Sequence, residues 1–386
     1  MTSNTKNKSK KRRPIRTLLI VLSLSALLYA VIYFASGKRL SIPNLSDIFN
    51  SSKSSDMAEE YLFQVGHNRV YASLDNSIVA VGTLGMQILG ADGNEIFRDS
   101  FKMTSPSIKT INGYAIAYDI GGSSLRLFKK NEIITSMDVE GEICSVSINP
   151  NAWISVCTQE NNAYKGIVTV YNNNGSPVYK VNMASGYVLA SAITADNKSI
   201  AVLSISQEGS RIIFYNLDSE ETQRVFDMPG TLILDLCYLN GNDILAITPT
   251  ELLLIKKSNE SELLYSFDEN RLSGYVLNAD LITLSLTSSS NANYYGYQGL
   301  LVTLDKTGRI LGEIETNKEP ITMASGNGFI AITQNDGVVF YTTSLDEITI
   351  SSQYGSFAGA TAAISLNKNH ALVASDYFAY TVLLDG

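Results

Sequence analysis

The sequence predicts an all-β fold: an eight-bladed β-propeller, its ring closed by an N-terminal strand, preceded by one transmembrane helix. Three observations predict it. A compact apolar strand recurs eight times, at a spacing of roughly 40 residues. Each copy is followed by a second strand and usually by a polar turn. A single uncharged stretch of twenty residues, Thr17 to Ser36, stands ahead of all the repeats.

Residues 1–16 form a basic tail. Nine of the 29 basic residues, and none of the 37 acids, fall within residues 1–39. The rest of the chain is therefore strongly acidic, which excludes nucleic acid as an expected partner.

Residues 17–36 read TLLIVLSLSALLYAVIYFAS. As a helix they span about 30 Å, the thickness of a bilayer core. Lipid offers backbone polar groups no partner, so a helix is the expected conformation. Seven positive charges precede the segment and two follow it, which predicts a cytoplasmic N-terminus and an extracytoplasmic remainder. The apolar run exceeds the core of a cleavable signal peptide, so an uncleaved anchor in the lipid bilayer is expected. Residues 37–58 are Ser-rich and aperiodic, as in a flexible stem.

The propeller is expected over residues 59–386. Its apolar strands begin at Ser77, Tyr114, Trp153, Ser199, Asp243, Leu281, Phe329 and Ala371. Four short strands per repeat of this length make one blade, and blades hide their faces only by packing in a ring. The final copy, residues 357–386, offers three strands before the chain stops. Tyr61–Val65 is an unpartnered strand ahead of the first copy, so it is expected to supply the missing fourth. A ring of seven is the alternative, should one copy not form its own blade.

With these repeats the chain resembles the β-propeller superfamily over residues 59–386. The resemblance is to the architecture of WD40 and quinoprotein-like propellers. The Gly-His and Trp-Asp dipeptides of the WD40 type are absent, and Trp153 is the only tryptophan. The layout of basic tail, spanning helix, stem and propeller resembles membrane-anchored propellers of Gram-positive anaerobes, a group that implies no site.

Function on such a ring is expected in loops, since the strands are committed to packing. Two insertions stand out, Thr158–Gly166 and Thr287–Gly299. The second carries Tyr294, Tyr295 and Tyr297 among Ser, Asn and Gly; the first carries Tyr164. Tyrosines on polar loops suit recognition. The same rings could instead fold back over a blade edge, and both readings stand at this stage.

Catalytic signatures are missing. The two histidines, His67 and His370, have no metal-ligand spacing and are expected as hydrogen-bonded turn residues. Ala91–Asn94 and Asp305–Gly308 read as hairpin turns rather than calcium loops. No cofactor or metal is expected. Cys144 and Cys157 face each other if Pro150-Asn151 centres their hairpin. A disulfide and two small buried side chains are equal readings, because a one-residue slip separates them. Cys237 is expected in the core.

The resulting expectation is a non-enzymatic binding or scaffolding module at the outer face of the membrane. Its ligand would be an envelope protein or a cell-wall glycan. The alternative is an exported hydrolase with carboxylates gathered at the central channel.

Overall fold

The computed structural model describes residues 57–385, except 131, 162–163, 220, 240–242, 278–279, 289–296 and 352–356. The tail, the expected transmembrane segment and the stem up to residue 56 lie outside the described residues. Among those described, no helix is long and apolar enough to cross a membrane.

The strands form eight antiparallel sheets at residues 70–99, 106–138, 143–183, 187–229, 235–266, 270–316, 322–342 and 362–385. These are blades 1 to 8. The recurring apolar strand is the second strand of each blade. Ser77–Gly82, Tyr114–Asp119 and Phe329–Gln334 are buried almost throughout. A strand covered on both faces has no polar side to display, which explains the continuous apolar run. The fourth strand behaves differently. Thr222–Pro229 alternates between exposed and half-buried positions along the second half of its length, the period of a strand with one covered face.

The core is divided among the junctions. Among the described residues there are eight apolar clusters, one between each pair of neighbouring blades. Val79, Val81, Met86 and Ile88 of blade 1, for example, meet Ala115, Ala117 and Phe128 of blade 2. Ile78, Ala80 and Leu89 meet Leu372, Ala374 and Ala379 across the junction of blades 8 and 1. The ring therefore has eight blades rather than seven.

In blades 1 to 6 the pairing of third and fourth strands slips register, near their shared turn in all but blade 5. Such bulges increase the right-handed twist, and twist across a blade lets successive blades fan around an axis. The first strands of neighbouring blades approach one another, so they surround that axis.

The ring closes where the first and last strands meet. Tyr61 N–H donates to Ala379 O at 2.8 Å, and Thr381 N–H donates to Glu59 O at 3.0 Å. The expected closure by an N-terminal strand is present, though its ladder covers residues 59–61 rather than Tyr61–Val65. Tyr61, Phe63 and Val65 bury their side chains in the junction between blades 8 and 1. Thr349–Ser351 completes the same outer edge by pairing with Leu383–Asp385. Blade 7 keeps three full strands and a short return, in which Ile348 N–H donates to Phe340 O at 2.8 Å.

Because consecutive strands alternate direction, the ring has two unlike faces. One carries the blade-to-blade crossovers and the turns between second and third strands. The other carries the first–second and third–fourth turns. Met57 and Ala58 lie on the latter: Ala58 N–H donates to Ala91 O at 2.8 Å, and Met57 Sδ accepts from Asn367 Nδ2 at 3.5 Å.

The candidate binding face and its clefts

The crossover face gathers exposed apolar side chains. Leu62, Leu84, Ile120, Tyr164, Tyr187, Leu232, Ile321 and Tyr377 all lie on crossovers or at second–third turns. Tyr377 is 91% exposed and Leu62 74%. The other large apolar side chains exposed among the described residues, from Ile96 to Leu383, sit on third or fourth strands at the outer rim. On the turns of the opposite face the described residues expose none.

Among the described residues, two clefts of about 990 Å³ each open on this face. One lies between blades 6 and 7. Its walls include Asn270, Gln298, Glu315, Asn317, Gln334, Tyr341 and Glu347. Burial, and then the nearby Glu347 carboxylate, push the Tyr341 phenol up. The other cleft lies between blades 3 and 4, bordered by Met183, Gln207, Glu208 and the Arg211–Asp227 ion pair at 2.5 Å.

Of the tyrosines singled out in the sequence, Tyr164 and Tyr297 are separated by the fold, in blades 3 and 6. Tyr294 and Tyr295 lie outside the described residues. Tyr297 folds back: Thr287 Oγ1 donates to its hydroxyl at 3.3 Å, and its ring lies where a side chain on Gly299 would stand. It thus covers a strand end, and the chain runs from it into Gln298 and Gly299 of the cleft wall. Tyr164 stays 36% exposed at the start of Tyr164–Tyr171 in blade 3. Beside it, Lys165 Nζ lies 5.3 Å from the ring centroid of Tyr187.

Sequence reasoning missed Leu84, Ile120, Tyr187 and Tyr377. A signal was present for three of them. Each of Leu84, Ile120 and Tyr377 interrupts a turn (Thr83–Gly85, Asp119–Gly122, Asp376–Phe378) where polar residues and glycine ordinarily suffice.

The axis holds little charge. On the eight innermost strands the charged residues are Lys109, Asp235 and Arg271. Asp235 Oδ1 accepts from Leu236 N–H at 2.8 Å, and Oδ2 accepts from the Tyr275 hydroxyl at 3.5 Å. Burial raises the Asp235 carboxyl despite these bonds and despite Lys109. The Tyr275 phenol is pushed up to about 12 by burial and by Asp235.

The cysteines depart from the expected opposition. A bulge between Cys157 and Thr158 pairs Cys157 with Ser145 and Thr158 with Ile143, leaving Cys144 as the extra residue. All three cysteines are free thiols. Cys144 Sγ donates to Cys157 O at 3.3 Å. Cys157 Sγ lies 3.1 Å from Ser191 Oγ, which donates to Ser155 Oγ at 2.8 Å. Cys237 is half-buried against the cluster between blades 5 and 6.

His67 and His370 do not meet. His67 Nδ1 lies 3.6 Å from Asp376 Oδ2 on the crossover face, and His370 Nδ1 lies 3.2 Å from Asn367 Oδ1 on the opposite face. Among the described residues no group of three His, Cys, Asp or Glu could hold a metal ion. In the Asp305 turn the carboxylate accepts from Thr307 N–H at 2.9 Å and from Arg309 Nε at 3.0 Å. Hydrogen bonds, first that from the Thr307 hydroxyl, hold this carboxyl down at about 2.

Four-stranded blades around an axis, with central strands buried on both faces and the ring closed by the two ends, define the protein as a β-propeller. The chain belongs to the family of unknown function DUF5711, whose profile matches residues 50–358. The fold is similar to the C-terminal WD40 domain of Sif2, at TM-score 0.60 and 12% identity, covering 85% of this chain and 100% of that one. BamB from Moraxella catarrhalis is similar at TM-score 0.52 and 14% identity, covering 85% and 99%. Chaetomium thermophilum Sqt1, bound to the N-terminus of the ribosomal protein L10, is similar at TM-score 0.54 and 11% identity, covering 86% and 100%. Among curated proteins, none matches the sequence.

Proposed function

We propose that this protein is a non-enzymatic binding or scaffolding module, anchored in the cell membrane through residues 17–36 with its propeller on the extracytoplasmic side. Its crossover face takes an envelope protein or a cell-wall glycan. The observation that carries this reading is the one-sided distribution of exposed apolar side chains. Single exposed apolar residues are ordinary. Among the described residues, eight on one face and none on the turns of the other is the bias a partner-binding surface produces. Sqt1, with a similar fold, is bound to a ribosomal protein's N-terminus, in keeping with a propeller that takes a protein segment.

The axis favours binding over hydrolysis. Glycosidases flank the scissile bond with two carboxyl groups, whereas the innermost strands carry one, Asp235.

The test is crosslinking capture in the native host. The intact chain is compared with Leu84→Ser/Tyr377→Ser, with a chain lacking Ser288–Tyr297, and with the rim variant Ile96→Ser. A partner lost with the crossover-face changes and kept with Ile96→Ser supports the proposal. Capture that all four chains share equally would remove the crossover face from it.

A further inference from the structure

We infer that the cleft between blades 6 and 7 is a binding site for a neutral oligosaccharide. The inference rests on the reading of the crossover face as the binding face, and it assigns a ligand class to one part of that face.

The cleft contrasts with its surroundings. Exposed apolar residues mark other parts of the face, but apart from Gly299, Leu300, Val339 and the Tyr341 ring the cleft walls are polar. A protein interface is apolar at its buried core, which this cleft is not. Its volume of about 990 Å³ sits at the upper end of small-molecule sites, about 300–1,000 Å³.

Four side-chain amides, Asn270, Gln298, Asn317 and Gln334, line it. An amide both donates and accepts, as a sugar hydroxyl does. The half-buried Tyr341 ring adds an apolar face for the C–H side of a pyranose.

Gln334 is the most telling of these. The residue is 4% exposed overall, but its amide, which hydrogen-bonds no other described residue, is not among the buried unpaired side-chain atoms of the described residues, Thr283 Oγ1 and Thr381 Oγ1, so it opens onto the cleft it lines. The other buried glutamine, Gln87, spends its amide within the protein: Oε1 accepts from Gln64 N–H at 2.8 Å, and Nε2 donates to Glu95 at 2.5 Å. Gln334 borders the cleft with its hydrogen-bonding capacity unspent, and a bound hydroxyl would complete it.

Charge selects against anions. Glu315 and Glu347 line the cleft. The ammonium of Lys318 is held by Asp336 at 2.7 Å. A phosphorylated or uronic-acid ligand would meet two carboxylates and a cation already paired.

The test is titration calorimetry on the full-length protein in detergent. The probes are cellotetraose, maltotetraose and the N-acetylglucosamine tetramer, with tetragalacturonate and tetralysine as charged comparators. The expected result is saturable binding of at least one neutral tetrasaccharide. Gln334→Leu, and separately the exposed pair Gln298→Ala/Asn317→Ala, should weaken it by about tenfold or more, the loss of one or two hydrogen bonds. The exposed pair keeps the test intact if Gln334→Leu does not fold. Leu84→Ser/Tyr377→Ser should leave sugar binding unchanged, so loss of a protein partner and loss of the sugar site read out separately. Three results would overturn the inference: no neutral tetrasaccharide binds, binding survives both cleft variants, or a charged probe binds more tightly than every neutral one.

Discussion

The main-chain amide of Tyr61 donates to the carbonyl of Ala379 at 2.8 Å, so the first described strand of the chain holds the last. The Tyr61 side chain reinforces the joint. It is 2% exposed, and its hydroxyl donates to Ala91 O at 2.8 Å. Tyr61→Ala removes a buried aromatic ring, which costs about 3–5 kcal/mol, and it also leaves the Ala91 carbonyl with one hydrogen bond, from Ala58 N–H, in place of two. Thermal unfolding should show a large fall in Tm, whereas Leu62→Ala, beside it but exposed, should leave Tm almost unchanged.

Asn149 joins blades 3 and 4 from a buried position. Its Nδ2 donates to Thr194 O at 2.8 Å, and its Oδ1 accepts from Trp153 N–H at 2.9 Å and Asn151 N–H at 3.0 Å. Asn149→Ala removes the acceptor of the half-buried Trp153 amide and of the Asn151 amide, while Thr194 O keeps Asn197 N–H at 3.1 Å, at a cost of about 1–3 kcal/mol. Urea unfolding should show a lower midpoint. An unchanged midpoint would mean that water replaces the amide.

Asp235 makes stability depend on pH. Its carboxyl is raised by burial, with Lys109, Leu236 N–H and Tyr275 opposing. A raised carboxyl contributes stability below its unfolded value of about 3.9 and loses that contribution as pH rises through the folded value. Cys237 and Tyr275 also sense this charge, but both titrate well above neutrality. Asp235→Asn should therefore raise Tm at neutral pH and flatten its fall between about pH 4 and neutrality. A variant with the same pH profile as the natural protein would place the cause elsewhere.

The thiols give a direct count. Burial pushes the Cys157 thiol up to about 12, with Cys144 adding to the effect, and burial raises Cys144 as well. The thiolate is the reactive form, so both should resist alkylation in the folded protein. After unfolding without reductant, mass spectrometry should find all three cysteines alkylated. Alkylation of Cys237 alone would show a Cys144–Cys157 disulfide.

Much of the fold was legible in the sequence because of one physical circumstance. A strand hidden on both faces must be apolar along its whole length, and SIVAVG, YAIAYD and FIAITQ carry that mark wherever they stand. Turn chemistry was legible for the same local reason: Asp305 and its neighbours make their hydrogen bonds within five residues. Register was less visible. The bulge at Cys157/Thr158 shifts one residue, and no composition signals a slip that backbone twist absorbs.

By itself, then, the sequence determined the eight-fold repeat, the order of strands and the expectation of a membrane anchor, since each depends on the character of a short contiguous segment. Tertiary structure alone decided which residues share a place. Leu62, Leu84 and Tyr377 come from opposite ends of the chain yet lie on one face. Asn270, Gln298, Asn317 and Gln334 come from two blades yet line one cleft. Tyr297, set in a loop suited to recognition, turns back onto Gly299. Such placements follow from closing the ring, which brings together positions that no local pattern connects.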